Sequence, residues 1–498
     1  MSAAQSHKEG KMLLNTITYM CFLAVTATIH YLLPVHYRNI FLLLVSIVFL
    51  WENGLVSLGI AVAAALITYL FGRKIASCED KTSAKRWMLL GSALLVLNLC
   101  FFKFAHLVSS FFNNPISVLF PVGISFYSFA SIGYLADIYN GKIEPEKGLV
   151  DWLLFVLFYP QVLSGPIART RDLMPQIKSR EVTEDLVSEG LRRLLTGAMC
   201  KIVLADGLGI LVDGVYNHLD KHSGLAVTIT MFLYTFQLYF DFSGYSSMAI
   251  GSGMLFGVRL HENFLAPFFS TGMGEIWRRW HITLSEWFRD YLYFPLGGSR
   301  KGERRTLVNL FIVFLVSALW HGNSWTNLIW GAVIVVSRFL ERMLVKKAAP
   351  VTESNIGSTK NWLKRIGVFF WWLMTMLPFR LETVEDMVRV VTMQFQRPNL
   401  KAYAAEFLNL AAAEISNTGT YYLIYLGSIV FCFAVAVWMD WQIYRSSILD
   451  GKNCDTDPLK KVPFKWRWVL YWLIGLMVAA MYIITQTGGG PSFIYQGY

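Results

Sequence analysis

Long apolar runs alternate with short polar breaks from about residue 17 to about residue 486. A helix needs roughly 20 mostly apolar residues to cross the hydrocarbon layer, and within it each backbone polar group must be satisfied internally. The pattern therefore predicts crossings near 17–33, 38–51, 54–72, 87–109, 116–139, 194–216, 225–241, 306–321, 325–341, 365–380, 421–439 and 466–486. That is an all-α polytopic membrane protein with about 11–13 transmembrane helices plus re-entrant or amphipathic segments. The apolar stretch 151–164 is only 14 residues long and closes on Ser164-Gly165-Pro166, so a re-entrant hairpin is expected there. From Asp241 to about Asn309, glycines, paired arginines and histidines interrupt the apolar runs, while 381–420 reads as an extracytoplasmic amphipathic region. One integral-membrane domain spans 1–498, with N-terminal helices in 1–140, a core in 141–345 and C-terminal helices in 346–498.

Composition agrees: 55% of the residues are hydrophobic and only 15% charged, too apolar for a soluble chain of this length. The net charge of +11 does not point to nucleic acid, because Lys and Arg occupy short loops between apolar runs rather than one continuous surface. Three such loops, around Arg73–Arg86, Arg342–Arg365 and Arg445–Arg467, are placed in the cytoplasm by the positive-inside rule. The nearly uncharged connections Ser110–Ser117 and Asn217–Gly224 suit the opposite side. Lys8 and Lys11 precede the first run, which is read as a retained anchor, since further apolar runs follow at once. Lys103 and His106 near the end of the fourth run read as interface-seeking side chains. The six cysteines show no CxxC and no metal-ligand spacing, so neither a disulfide framework nor a metal site is expected.

Three stretches carry candidate chemistry. In Gly274–Gly298, helical spacing puts Trp277, Trp280, His281, Leu284, Trp287, Phe288 and Tyr291 on one arc, with Arg278, Arg279, Glu286 and Arg289 outside it. Two readings fit: an interfacial helix anchored by its aromatics, or a histidine turned into a site. In Ser317–Gly322, His321 ends an apolar run. It is either a helix-terminal residue bonding the last carbonyls above Gly322 or a neutral imidazole suited to general-base work. In Tyr239–Tyr245, Asp241 lies amid aromatic residues; it orients a histidine or pairs with an arginine of the 278–289 stretch.

In this order and spacing, these stretches resemble the membrane-bound O-acyltransferase family, within it the bacterial alginate O-acetyltransferase branch. The resemblance extends over PVGISFYSF at 121–129, SGPIARTRDLMPQI at 164–177, DFSGYSSMAIG at 241–251, NFLAPFFS at 263–270, WRRWHITLSEWFRDYLYFPLGGSR at 277–300 and ALWHG at 318–322. It implies a central tunnel where a cytosolic acyl donor meets an acceptor from the other side. His321 is then the catalytic histidine and His281 the second polar position, with Asp241, Trp280, Trp320, Tyr239 and Asp290 in support. Arg278, Arg279, Arg300 and Lys301 are candidate contacts for donor phosphates, or simply a solvated basic loop. Two departures, Ser247 in place of a common acidic residue and the C-terminal FIYQGY, bear on the acceptor.

The expected function follows from that resemblance: transfer of an acetyl group from acetyl-CoA or an acylated carrier, with no permanently bound cofactor. The acceptor is an extracytoplasmic partner protein or a polysaccharide hydroxyl, and the setting is a bacterial cytoplasmic (inner) membrane. D-alanyl transfer for teichoic-acid modification is the sister alternative. A transporter or flippase would also explain many spans and broken helices, and a non-catalytic scaffold would tolerate loss of both histidines.

Overall fold

The computed structural model describes residues 12–110, 120–179, 181–322, 324–344, 350–381, 383–395, 399–401, 403, 405–406 and 419–487. Lys8, Lys11, most of the Ser110–Ser117 connection, Lys346, Lys347, the 407–418 part of the amphipathic region and the FIYQGY tail lie outside them.

Among the described residues every regular element is helical. Eight helices are long and apolar enough to cross a membrane by length and composition. Trp325–Leu344 and Thr359–Arg380, of 20 and 22 residues, and the 16-residue Ile17–Leu32 and Ile124–Tyr139 fill the other predicted positions. Apolar side chains such as Leu70, Leu97, Val430 and Trp472 point outward, 64–70% exposed, as lipid-facing surface requires. The 149–162 segment folds as two short helices, Leu149–Leu157 and Tyr159–Val162, broken at Phe158 and enclosed from Trp152 onward apart from Leu153. Amphipathic Val384–Met393 buries Val390 and Met393.

Two expectations change. The span expected at 225–241 is a 31-residue helix, α11 (Gly224–Met254), so DFSGYSSMAIG is helical rather than an interruption. Its glycines serve packing. α9 (Glu184–Ala198) continues through a π segment, Met199–Ala205, into α10 (Asp206–Tyr216). α9 lies so close to α11 that a Cβ on Gly244 would stand 2.7 Å from the Lys201 amide nitrogen, and one on Gly251 would stand 2.6 Å from the Gly190 carbonyl oxygen. Small residues permit this backbone approach where helices pack within a membrane. The second change concerns 274–298, which is no single helix but α12 (Met273–Arg279), α13 (Ile282–Phe288) and a π segment, Arg289–Tyr293. α14 (Glu303–His321), α15 (Trp325–Leu344) and α16 (Thr359–Arg380) surround this broken region.

Candidate active site

His321 is the last residue of α14 and is 7% exposed. Its ring stands edge-on to Trp330 of α15 at 5.1 Å and to Phe379 of α16 at 5.0 Å, with the adjacent Trp320 ring at 4.5 Å. The imidazole is thus held inside the bundle rather than turned to lipid.

His281 occupies the break between α12 and α13, with a left-handed backbone (φ 42°). That conformation is uncommon for a residue with a Cβ and persists only where surroundings impose it. The imposing element is the 263–265 loop: the Leu265 amide donates to the Arg279 carbonyl and the Ile282 amide to the Asn263 carbonyl, both at 3.0 Å. The Asn263 side chain completes the clamp. Its Oδ1 accepts from Thr283 Oγ1 at 2.6 Å and from His281 Nδ1 at 3.3 Å, while its Nδ2 donates to Ser246 at 3.2 Å. In this network Nδ1 of a neutral His281 carries the proton, and Nε2, which has no hydrogen-bond partner among the described residues, keeps the lone pair.

Both histidines line one internal cavity of about 460 Å³, walled also by Trp277, Trp280, Trp330 and Phe379. It shares Gly274, Trp277, Arg278, Ser285, Arg289 and Arg338 with a wider cavity of about 1170 Å³. The outer cavity is bordered by Pro350 and Val351 and by Ser447 and Gly451, so two of the three basic loops meet at its mouth. Arg445 of one loop and Glu353 of the other approach to 4.0 Å. The two cavities therefore abut, the outer one arginine-rich and the inner one holding both histidines. Such a space, mostly apolar with a few convergent polar groups, is how small-molecule sites are built.

The supporting residues divide. Trp280 lines the cavity and packs on Phe264 and Trp372 at 5.1 and 5.3 Å, and Trp320 stands between the histidines, 6.3 Å from His281. Asp241 meets a lysine where the sequence points to a histidine or to an arginine of the 278–289 stretch. Its Oδ1 lies 2.5 Å from Lys201 Nζ, which also binds Asp206 at 2.7 Å. A buried carboxylate takes the cation its helix packing supplies, and here the close α9–α11 contact brings in Lys201. Tyr239 donates to Asp440 at 2.9 Å. Asp290 anchors the π segment to Arg169 at 2.5 Å and, within the segment, binds its neighbour Arg289 at 2.7 Å. Burial works against its ionisation, but the two guanidinium groups prevail and hold the carboxyl below its usual range.

Of the expected donor contacts, Arg278 lines both cavities. Arg279 reaches only the outer one and is tied down by Glu275 at 3.0 Å, Ser447 at 2.9 Å and the Leu265 carbonyl at 3.0 Å. Arg300 and Lys301 lie exposed in the turn after the π segment and line neither cavity. The structure adds Arg338 and Arg342 of α15, which line the inner cavity, and the clamp Asn263. Asn263 opens the NFLAPFFS stretch, but nothing in local periodicity connects it to a histidine 18 residues on.

The fold and cavity define a multi-pass helical membrane protein built around an internal two-histidine pocket. Comparison with known proteins agrees. The family model for MBOAT, the membrane-bound O-acyltransferase family, matches residues 146–381. "Probable alginate O-acetylase AlgI" of Azotobacter vinelandii is 41% identical over 350 residues, 68% of this chain and 70% of that protein. The protein of the same name from Pseudomonas aeruginosa is 36% identical over 426 residues, 83% and 79% of the two chains. "Peptidoglycan O-acetyltransferase" of Helicobacter pylori is 32% identical over 360 residues, 64% of this chain and 68% of that protein. The chain belongs to the membrane-bound O-acyltransferase family and is a multi-pass membrane O-acyltransferase.

Proposed function

We propose that this protein moves an acetyl group from a cytosolic thioester, acetyl-CoA or an acylated carrier, to a hydroxyl arriving from the other side of a bacterial inner membrane. The observation carrying this reading is the cavity shared by His321 and His281, which abuts the arginine-lined outer cavity. His321 takes the proton of the acceptor hydroxyl, whose oxygen attacks the thioester carbonyl. As the C–S bond breaks, the departing thiolate receives that proton from the imidazolium. His281, whose Nδ1–H is committed to Asn263, offers an acceptor at Nε2. That fits orienting the acceptor through a neighbouring hydroxyl rather than steadying an oxyanion, which needs a donor. Asp241, Tyr239 and Asp290 shape the scaffold, and Arg278 with Arg338 and Arg342 receives the donor's phosphates.

The acceptor is a polysaccharide hydroxyl, of alginate or a cell-wall glycan, reached through a separate extracytoplasmic partner protein. This reading draws on the names of the relatives, alginate O-acetylase and peptidoglycan O-acetyltransferase. The test is His321→Ala in the full chain, assayed in membranes with labelled acetyl-CoA and a uronate oligosaccharide, with and without the partner. Transfer should fall to background at unchanged protein level; full transfer would remove His321 as the base. In a parallel assay supplied with a labelled D-alanyl thioester, label entering the acceptor there and not from acetyl-CoA would favour the teichoic-acid alternative.

A further inference from the structure

The family model begins at residue 146, yet side chains from before it reach the helix that ends in His321. Lys103 lies in α4 (Lys81–Ser110), and its Nζ donates to the main-chain carbonyl of Trp320, the residue before His321. The ammonium also stands 5.4 Å from the centre of the Trp320 ring and 5.6 Å from that of Phe120. It does not run out to the interface as its place in the sequence suggests, and the reason is the end of α14. The helix stops at His321, with the Gly322 amide returning to Ala318. The Trp320 carbonyl is thus one of the last four of the helix, which carry the partial negative charge of its C-terminus. An ammonium among apolar side chains needs such an acceptor.

We propose that Lys103 is a positioning residue for acyl transfer: by holding the Trp320 carbonyl it fixes the last turn of α14, and with it the His321 ring between Trp330 and Phe379. Trp320 is steadied from the same side, its ring 5.7 Å from that of Phe129 in α5 (Ile124–Tyr139). The N-terminal helices thereby complete the site rather than merely anchor it. This inference rests on His321 being the base.

The test uses the purified full-length protein with labelled acetyl-CoA and a uronate oligosaccharide, comparing Lys103→Met, Lys103→Arg and His321→Ala. A hydrogen bond from a charged donor is worth enough that Lys103→Met should lower kcat about 10- to 100-fold. KM for acetyl-CoA and the melting temperature should stay near wild type, and Lys103→Arg should restore most of the turnover. Wild-type turnover in Lys103→Met, a change confined to KM, failure of Lys103→Met to accumulate, or failure of arginine to rescue would each overturn the inference. If His321→Ala keeps full transfer, the assignment of the base fails; if His321→Ala is dead while Lys103→Met is normal, only the role of Lys103 fails.

Discussion

Asn263 bears more on the second histidine than any ionisable group. Wholly buried, it uses its side-chain oxygen for Thr283 and His281, its side-chain nitrogen for Ser246 and its main-chain oxygen for Ile282. Asn263→Ala would leave the Thr283 hydroxyl and His281 Nδ1 without their acceptor in an enclosed site. Each such orphan costs about 1–3 kcal/mol, and the ring would be free to swap tautomer. The expected outcome is a lower melting temperature and at least a tenfold fall in kcat, roughly the effect of 1.4 kcal/mol. Asn263→Asp keeps the oxygen that accepts from His281 and should retain more activity than alanine at equal protein level. Alanine activity equal to wild type would show that the tautomer of His281 does not matter.

At the scale of elements, apolar run length made most spans legible, because a membrane helix must cover a set thickness whatever its neighbours do. Legibility failed where contacts distant in sequence decide. Trp277 to Tyr291 keep a helical period through a point where the chain turns left-handed, since pairing with the 263–265 loop outweighs helix continuity and no Gly or Pro marks the break. His321 was legible as the apolar end of a run, whereas the bond from Lys103 to the Trp320 carbonyl, 217 residues apart in sequence, was not. Glycines in α11 read as interruption and proved to be contact. Gly197 and Gly244 meet so that a Cβ on either would lie 2.8 Å from the other's carbonyl oxygen. Gly244→Ala should therefore force α9 and α11 apart, at a cost of about 1–3 kcal/mol, and disturb the Lys201–Asp241 pair beside them. Gly427, whose added Cβ meets nothing within 4 Å, supplies the control. Gly427→Ala should melt no lower than wild type, and Gly244→Ala measurably lower in the same detergent; equal melting of the two would refute the close-packing account.

For the whole molecule, the basic excess of 44 Lys and Arg over 33 Asp and Glu first suggests topology, but part of it is concentrated around the outer cavity. Four arginines line the inner cavity or its throat, and three are matched: Arg289 by Asp290 and Glu286, Arg338 by Glu341, Arg342 by Glu303. Arg278 has no carboxylate partner among the described residues and lines both cavities, so it is the cation most available to an incoming phosphate. Gly274 keeps that throat open, because a Cβ there would stand 2.4 Å from the Arg338 guanidinium. Loss of one charge-assisted contact should raise KM for acetyl-CoA about tenfold or more in Arg278→Ala, with kcat little changed, because the contact is made equally in the ground and transition states. Salt should weaken the wild-type interaction and narrow the difference between the two proteins, since exposed charges are screened within about 10 Å at 0.1 M. Arg300→Ala and Lys301→Ala, remote from both cavities, should leave KM where it is. If they raise it as much as Arg278→Ala does, the donor enters by the exposed turn and not by the mouth between the basic loops.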